Sequence, residues 1–202
     1  MKKYKIFISG VQKELKEERR AIKDFVSNDV LLRDHFEVFL FEDHPAKGKS
    51  SESTYLDEVR GCEIYIGILG NRYGSVEKVK LSPTEAEFRE AQKKHRVILI
   101  YIKGENGIKD QAREEGVRKL IAEIKDPKKG YSYRRFNDIA GLKSLVYESL
   151  IALLREKGIV GRDAFDQRVC EKAKLSDIDE KKIRWFLKVA RENLKHKDPV
   201  SF

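Results

Sequence analysis

Ile64-Tyr65-Ile66-Gly67-Ile68-Leu69 and Val97-Ile98-Leu99-Ile100-Tyr101-Ile102 are two nearly unbroken apolar runs, rich in β-branched and aromatic residues. A strand with one wetted face alternates apolar and polar side chains. A run without that alternation is buried on both faces, as strands at the centre of a parallel sheet are. Tyr4-Lys5-Ile6-Phe7-Ile8 and Phe36-Glu37-Val38-Phe39-Leu40-Phe41 are shorter runs of the same kind, and residues 131–136 hold a fifth. Helical spacing fills the gaps between them. Val11, Leu15, Ile22, Phe25 and Val26 share one stripe, and Tyr55, Leu56, Val59 and Cys62 a shorter one. Phe88 and Ala91 continue a face begun at Thr84. Val117, Leu120, Ile121 and Ile124 form the next stripe, and Leu142, Leu145, Val146, Leu150 and Leu153 the last.

Strands alternating with helices predict βαβ units and an α/β fold. A flavodoxin-like open parallel sheet of about five strands, in the order 2-1-3-4-5, fits this pattern better than a barrel. Helix boundaries carry their own signals. Ser9-Gly10-Val11-Gln12 reads as a capping box, with Ser9 as N-cap and Gln12 reaching back. Ser82-Pro83-Thr84-Glu85 is a stronger start, with Pro at the first helical position. Gly158 is the expected stop of the Leu142 helix. Residues 159–176 lack periodicity, and Ile183, Phe186, Leu187, Ala190 and Leu194 then make one amphipathic helix. The expected organisation is an α/β domain over 1–157 and an extension over 158–202 that leads into a further domain of a longer protein.

Composition narrows the class. Among 202 residues, 43 Lys and Arg face 34 Asp and Glu, a net charge of +9. Charged residues reach 38% of the chain, against roughly 25% in an average domain, the bias of heat-adapted proteins. Because both signs are interspersed, nucleic-acid binding is expected to be weak, non-specific and salt-sensitive. Cys62 and Cys170 stand alone, as reduced thiols do. His35, His44, His95 and His196 show no metal-ligand spacing, so no metal site is expected. With no signal peptide or membrane-length apolar run, a cytoplasmic protein without membrane contact is expected.

In a sheet of this order, ligands bind beyond the carboxyl ends of strands one and three, where the strand order reverses. Ser9 and Gly10 end the first strand and open a helix that favours an anion. Gly70-Asn71-Arg72-Tyr73-Gly74 follows the third, offering an amide, a base and an aromatic ring. The next helix starts at Ser82 and Thr84 and presents Glu87 on its second turn. These residues suit a nucleotide or another phosphate-bearing ligand. Each also has a plainer reading: Ser9 and Ser82 as caps, Gly70 and Gly74 as turn formers, Arg72 and Tyr73 as a solvated turn, Glu87 as a solvated helical carboxylate. Glu42-Asp43-His44 reads as an acidic loop, or as a group that polarises a hydroxyl.

Four segments carry a resemblance. They are Lys5-Ile6-Phe7-Ile8-Ser9-Gly10-Val11-Gln12-Lys13-Glu14, Tyr55-Leu56-Asp57-Glu58-Val59, Gly67-Ile68-Leu69-Gly70-Asn71-Arg72-Tyr73-Gly74 and Leu81-Ser82-Pro83-Thr84-Glu85-Ala86-Glu87-Phe88. Together they resemble the family called domain of unknown function 4062, which is similar to the Toll/interleukin-receptor (TIR) superfamily and, more distantly, to nucleoside 2-deoxyribosyltransferases. The resemblance implies a TIR-like domain over 1–157. In enzymatic TIR domains a glutamate on the helix after strand three is essential for cleaving the nicotinamide–ribose bond of NAD, and the residue at that place is Glu87. Thr84-x-x-Glu87 also resembles the transferase segment whose glutamate is a nucleophile. The Trp-Cys pair that precedes the TIR glutamate is absent, and Pro83-Thr84 stands near its place. The tail, Asp163-Ala164-Phe165-Asp166 and then Asp177 to Leu187, resembles a linker into Alba-like and ATPase-related regulatory regions. A sensory or assembly module, self-associating or binding a protein partner and controlling a C-terminal effector region, is therefore the leading expectation. An NAD or nucleotide N-glycosidic-bond hydrolase using Glu87 is the alternative. No cofactor is required; NAD or another nucleotide is the expected ligand.

Overall fold

The computed structural model describes residues 2–43, 51–75, 81–105, 108–160 and 185. In chain order the elements are β1 (Tyr4–Ser9), α1 (Gln12–Asn28), α2 (Leu32–His35), β2 (Phe36–Phe39), a 3-10 turn (Phe41–Asp43), α3 (Ser51–Gly61), β3 (Ile64–Leu69), α4 (Pro83–Lys93), β4 (Val97–Lys103), α5 (Ile108–Gln111), α6 (Glu115–Ile124), β5 (Tyr133–Phe136) and α7 (Ile139–Glu156). The strands form one parallel sheet in the order β2-β1-β3-β4-β5. This is the α/β fold that the sequence pattern predicts. The chain divides into two units, Met1–Leu150 and Ile151–Phe202, and the sheet lies in the first.

The apolar runs occupy the middle of the sheet for the reason their composition suggests. Every residue of β3 is buried. Alternate side chains point to opposite faces. Phe7, Tyr65, Leu69, Ile100 and Ile102 join Val59 of α3, Phe88 and Ala91 of α4 and Val117, Leu120, Ile121 and Ile124 of α6 in one core cluster. Ile6, Ile8, Ile66, Ile68 and Tyr101 are equally buried on the alternate face, the side of α1, whose Leu15 approaches Ile68 across Gly10. Phe25 of α1 meets Tyr147 of α7 edge-on, with ring centroids 6.3 Å apart. Burying one such side chain contributes roughly 1.5–3 kcal/mol, so the two faces together outweigh any cap or ion pair.

Two local readings are corrected, and two short helices are added. Ser9 does not cap α1: it is the last residue of β1, the N-cap is Val11, and no side chain closes that helix start. One buried carboxyl competes more strongly for the Ser9 hydroxyl than an exposed helix end does, as described below. β2 stops at Phe39, because Leu40 turns inward and Asp43 N–H bonds Leu40 O at 3.1 Å, winding Phe41–Asp43 into a 3-10 turn. Finally, α2 and α5 are four-residue helices, too short for any periodicity to reveal. The start of α4 follows its signal, with Ser82 Oγ accepting from Glu85 N–H and Pro83 at the first position. In the second unit, α7 closes at Gly158, whose φ is +65°. The helix expected over residues 183–194 lies outside the described residues apart from Trp185, as does His44.

Candidate functional site

β1 and β3 pair with Ile8 opposite Ile66 and Ser9 opposite Gly67, and their neighbours β2 and β4 lie on opposite sides. The connections from β1 and β3 therefore part at this point and leave an opening above the strand ends. A cleft of about 490 Å³ opens here. Its walls come from four places: the start of α1 (Gly10, Val11, Gln12, Lys13 and Arg19), the turn after β2 with α3 (Phe41, Glu42 and Tyr55), the turn after β3 (Arg72, Gly74 and Ser75), and the start of α4 (Pro83, Thr84 and Glu87), with Glu114 beside them.

Glu87 is the buried carboxyl of the cleft lining. It shares the inward face of α4 with Thr84, Phe88 and Ala91, so helical geometry sends its carboxyl down toward the sheet. It is 8% exposed, and its Oε2 accepts a hydrogen bond from the buried Ser9 Oγ. The plainer reading of Glu87 as a solvated helical carboxylate is thereby corrected. Burial disfavours the charged form and pushes the carboxyl up to about 7; the Ser9 hydroxyl and the Arg19 guanidinium oppose this shift, and Glu42 adds to it. Beneath it, Tyr65 is fully enclosed, its hydroxyl 3.4 Å from Thr84 O. Burial holds that phenol well above its ordinary range, and the Glu87 charge adds to the effect.

Across the floor lies an ion pair, Arg19 Nη2 to Glu42 Oε2 at 2.9 Å, with side chains only 5% and 13% exposed. Arg19 also reaches Ile8 O at 3.4 Å. Lys23 and Arg20 hold the neighbouring Asp43 at 2.5 and 3.0 Å. Phe41 and Tyr55 meet edge-on at 6.2 Å and form the aromatic part of the wall.

The turn after β3 is held from outside. The Glu14 carboxylate accepts from the N–H groups of Asn71 and Arg72 at 2.7 and 2.9 Å. That approach needs a glycine at 70, where a Cβ would sit 2.5 Å from Glu14 Cδ. Tyr73 N–H bonds Glu114 Oε2 at 2.6 Å, and Tyr73 Oη bonds Glu85 Oε2 at 2.6 Å. Glu85 thus holds Tyr73 and Arg89 instead of reaching back to Ser82. Gly10, at φ +155°, lets the chain pass Ile68 O closely; a Cβ there would lie 2.8 Å from it.

Of the residues singled out from sequence, Gly10, Arg72, Thr84 and Glu87 line the cleft, and Ser9 lies beneath it on Glu87. Gly70, Tyr73 and Ser82 are not brought to it: they border a separate void of about 10 Å³ under the turn. Asn71 is exposed, its N–H turned to Glu14. Sequence reasoning missed Lys13, Arg19, Phe41, Tyr55 and Glu114 as wall residues. A signal existed for Arg19, which interrupts the buried stripe Leu15, Ile22 and Val26 with a charge. Tyr55 gave none, since an aromatic residue on a helical stripe reads as core. No group of three or more His, Cys, Asp or Glu among the described residues could hold a metal ion. Nor is any described helix long and apolar enough to cross a membrane.

No curated protein matches the chain. Among solved structures it is similar to that of the Clostridium botulinum CMP N-glycosidase BcmB, at 14% identity and a TM-score of 0.44, over 71% of this chain and 98% of that one. The model of a family described as a domain of unknown function matches residues 5–151, which takes in the five strands except Tyr4 and every wall of the cleft. The chain therefore belongs to the DUF4062 family.

Proposed function

We propose that this domain binds a nucleotide in the cleft and that Glu87 acts on its N-glycosidic bond. One observation carries the reading: an almost fully buried carboxyl, titrating near neutrality, lines an open cleft where its protein hydrogen bond comes from the Ser9 hydroxyl. Burying a carboxylate without a cationic partner in direct contact costs free energy, and such groups concentrate where chemistry needs them. The position is also the one that the resemblance to glycosidic-bond-cleaving enzymes assigns.

The chemistry needs little else. As the C1′–N bond breaks, its electron pair leaves with the base, and positive charge develops on the ribosyl C1′ and ring oxygen. The ionised Glu87 carboxylate stabilises that oxocarbenium-like state, as carboxylates do in glycoside hydrolysis. Water then adds to C1′, and its proton passes to the departing base of a ribonucleoside monophosphate, or to solvent where neutral nicotinamide departs from NAD. Ser9 holds Glu87 Oε2, which leaves the other carboxyl oxygen for the sugar. The aromatic wall of Phe41 and Tyr55 offers a face for the base.

The test is turnover. Purified protein is incubated with NAD and with ribonucleoside monophosphates, and released base is measured by chromatography for wild type, Glu87→Gln and Glu87→Ala. Release by wild type that is lost in both variants supports the reading. Binding without turnover favours a ligand-sensing module that acts through self-association or a C-terminal region. The absence of both binding and turnover refutes the proposal.

A further inference from the structure

The Arg19–Glu42 pair takes no direct part in the step assigned to Glu87, and as a stabilising device it is poorly built. A buried ion pair offsets its desolvation only when its remaining donors and acceptors are satisfied. Here Arg19 Nε is buried with no hydrogen-bond partner, and Glu42 uses one carboxylate oxygen, Oε2, on Arg19. Its Oε1 has no hydrogen-bond partner among the described residues. Yet the pair lines the cleft together with Glu87.

We propose that Glu42, positioned by Arg19, accepts a hydrogen bond from a ribose hydroxyl, so that the site selects ribonucleotides over their deoxy counterparts. The inference rests on the proposed function and deepens it. An ionised carboxylate only accepts hydrogen bonds, so its ligand must be a donor. Glu42 and Glu87 interact electrostatically, so a phosphate set beside them would face two acids. Lys13 and Arg72 are the exposed cations of the lining, enter no ion pair among the described residues and suit the phosphate. That polarity places the sugar over the two carboxylates, with C1′ at Glu87 and the vicinal hydroxyls toward Glu42. Arg19 fixes Glu42 Oε2, which leaves Oε1 as the acceptor.

The experiment measures equilibrium binding by calorimetry to the full chain carrying Glu87→Gln, which does not cleave the probes. The probes are the four common ribonucleoside 5′-monophosphates, each beside its 2′-deoxy and 3′-deoxy forms. This protein should bind at least one ribonucleotide more tightly than one of its deoxy forms by roughly 10- to 100-fold, the range of one charge-assisted hydrogen bond. Glu42→Gln keeps a carbonyl for Arg19 and removes the charge, so the ratio should fall to about threefold or less while the deoxy form binds as before. The comparison among the three sugars stands even if the added Glu42 variant does not fold. Equal binding of all three sugars overturns this inference and leaves the nucleotide reading intact. Binding of Mg²⁺ alone that Glu42→Gln abolishes overturns it in favour of a cation. Binding of no nucleotide overturns both readings.

Discussion

Replacing Glu87 by Gln should stabilise the fold at alkaline pH. In the folded protein burial raises the carboxyl from 4.5 to about 7; in the unfolded chain it returns to the ordinary value. Between those two values the folded protein holds a proton that the unfolded chain has released. Stability therefore falls as pH rises from about 4.5 to about 7, and above that the whole cost is present. At about 1.4 kcal/mol per pH unit the cost amounts to about 3 kcal/mol. Gln matches Glu in shape and carries no charge, and the Ser9 hydroxyl donates to its carbonyl as it does to the carboxylate. The assay is urea unfolding of both proteins at pH 4 and pH 8.5. Other titrating groups cancel in the difference between the two proteins. The variant should match wild type at pH 4 and exceed it by about 3 kcal/mol at pH 8.5, which is on the order of 6–12 °C in Tm. A Glu87→Gln protein no more stable than wild type at pH 8.5 would refute the argument that a charged Glu87 is buried at a cost. A gain there, paired with lost turnover, is the trade expected when a site is kept strained for its chemistry.

Turnover should rise with pH through about 7, because the ionised form of Glu87 does the work; a rate flat from pH 5 to 9 would contradict that role. Ser9→Ala removes the bond that favours the charged form, so the acid limb of the same profile should move to higher pH. Glu85→Ala should cost about 1–2 kcal/mol in denaturant unfolding, through the lost Tyr73 and Arg89 bonds. Tyr73→Phe should then add almost nothing in that background, and full additivity would deny the contact. Gly70→Ala should destabilise by about 1–3 kcal/mol, since its Cβ would enter the Glu14 carboxylate. Glu14→Ala should relieve part of that loss, read as a coupling energy in a double-mutant cycle.

The sheet was legible because strand burial writes itself into composition. β3 and β4 stand out as unbroken apolar runs, the helices between them show their stripes, and such alternation admits few topologies. The place of the cleft followed from strand order alone, and Glu87 could be named from its spacing after Ser82. Its environment could not. Whether a helical glutamate is solvated or buried depends on which way α4 turns over the sheet, and that is fixed by Phe88 and Ala91 packing on residues from β1, β3 and α3. Ser9 illustrates the same limit: a serine before a helix reads as a cap, and only a glutamate 78 positions away, brought near by the parallel pairing of β1 and β3, makes it a partner of Glu87. Arg19 and Glu42 meet by the same route, from two different connections at one end of the sheet. Local sequence encodes what a residue does within its own element, whereas ionisation, burial and pairing are set by distances between elements. Those distances exist only once the chain has folded.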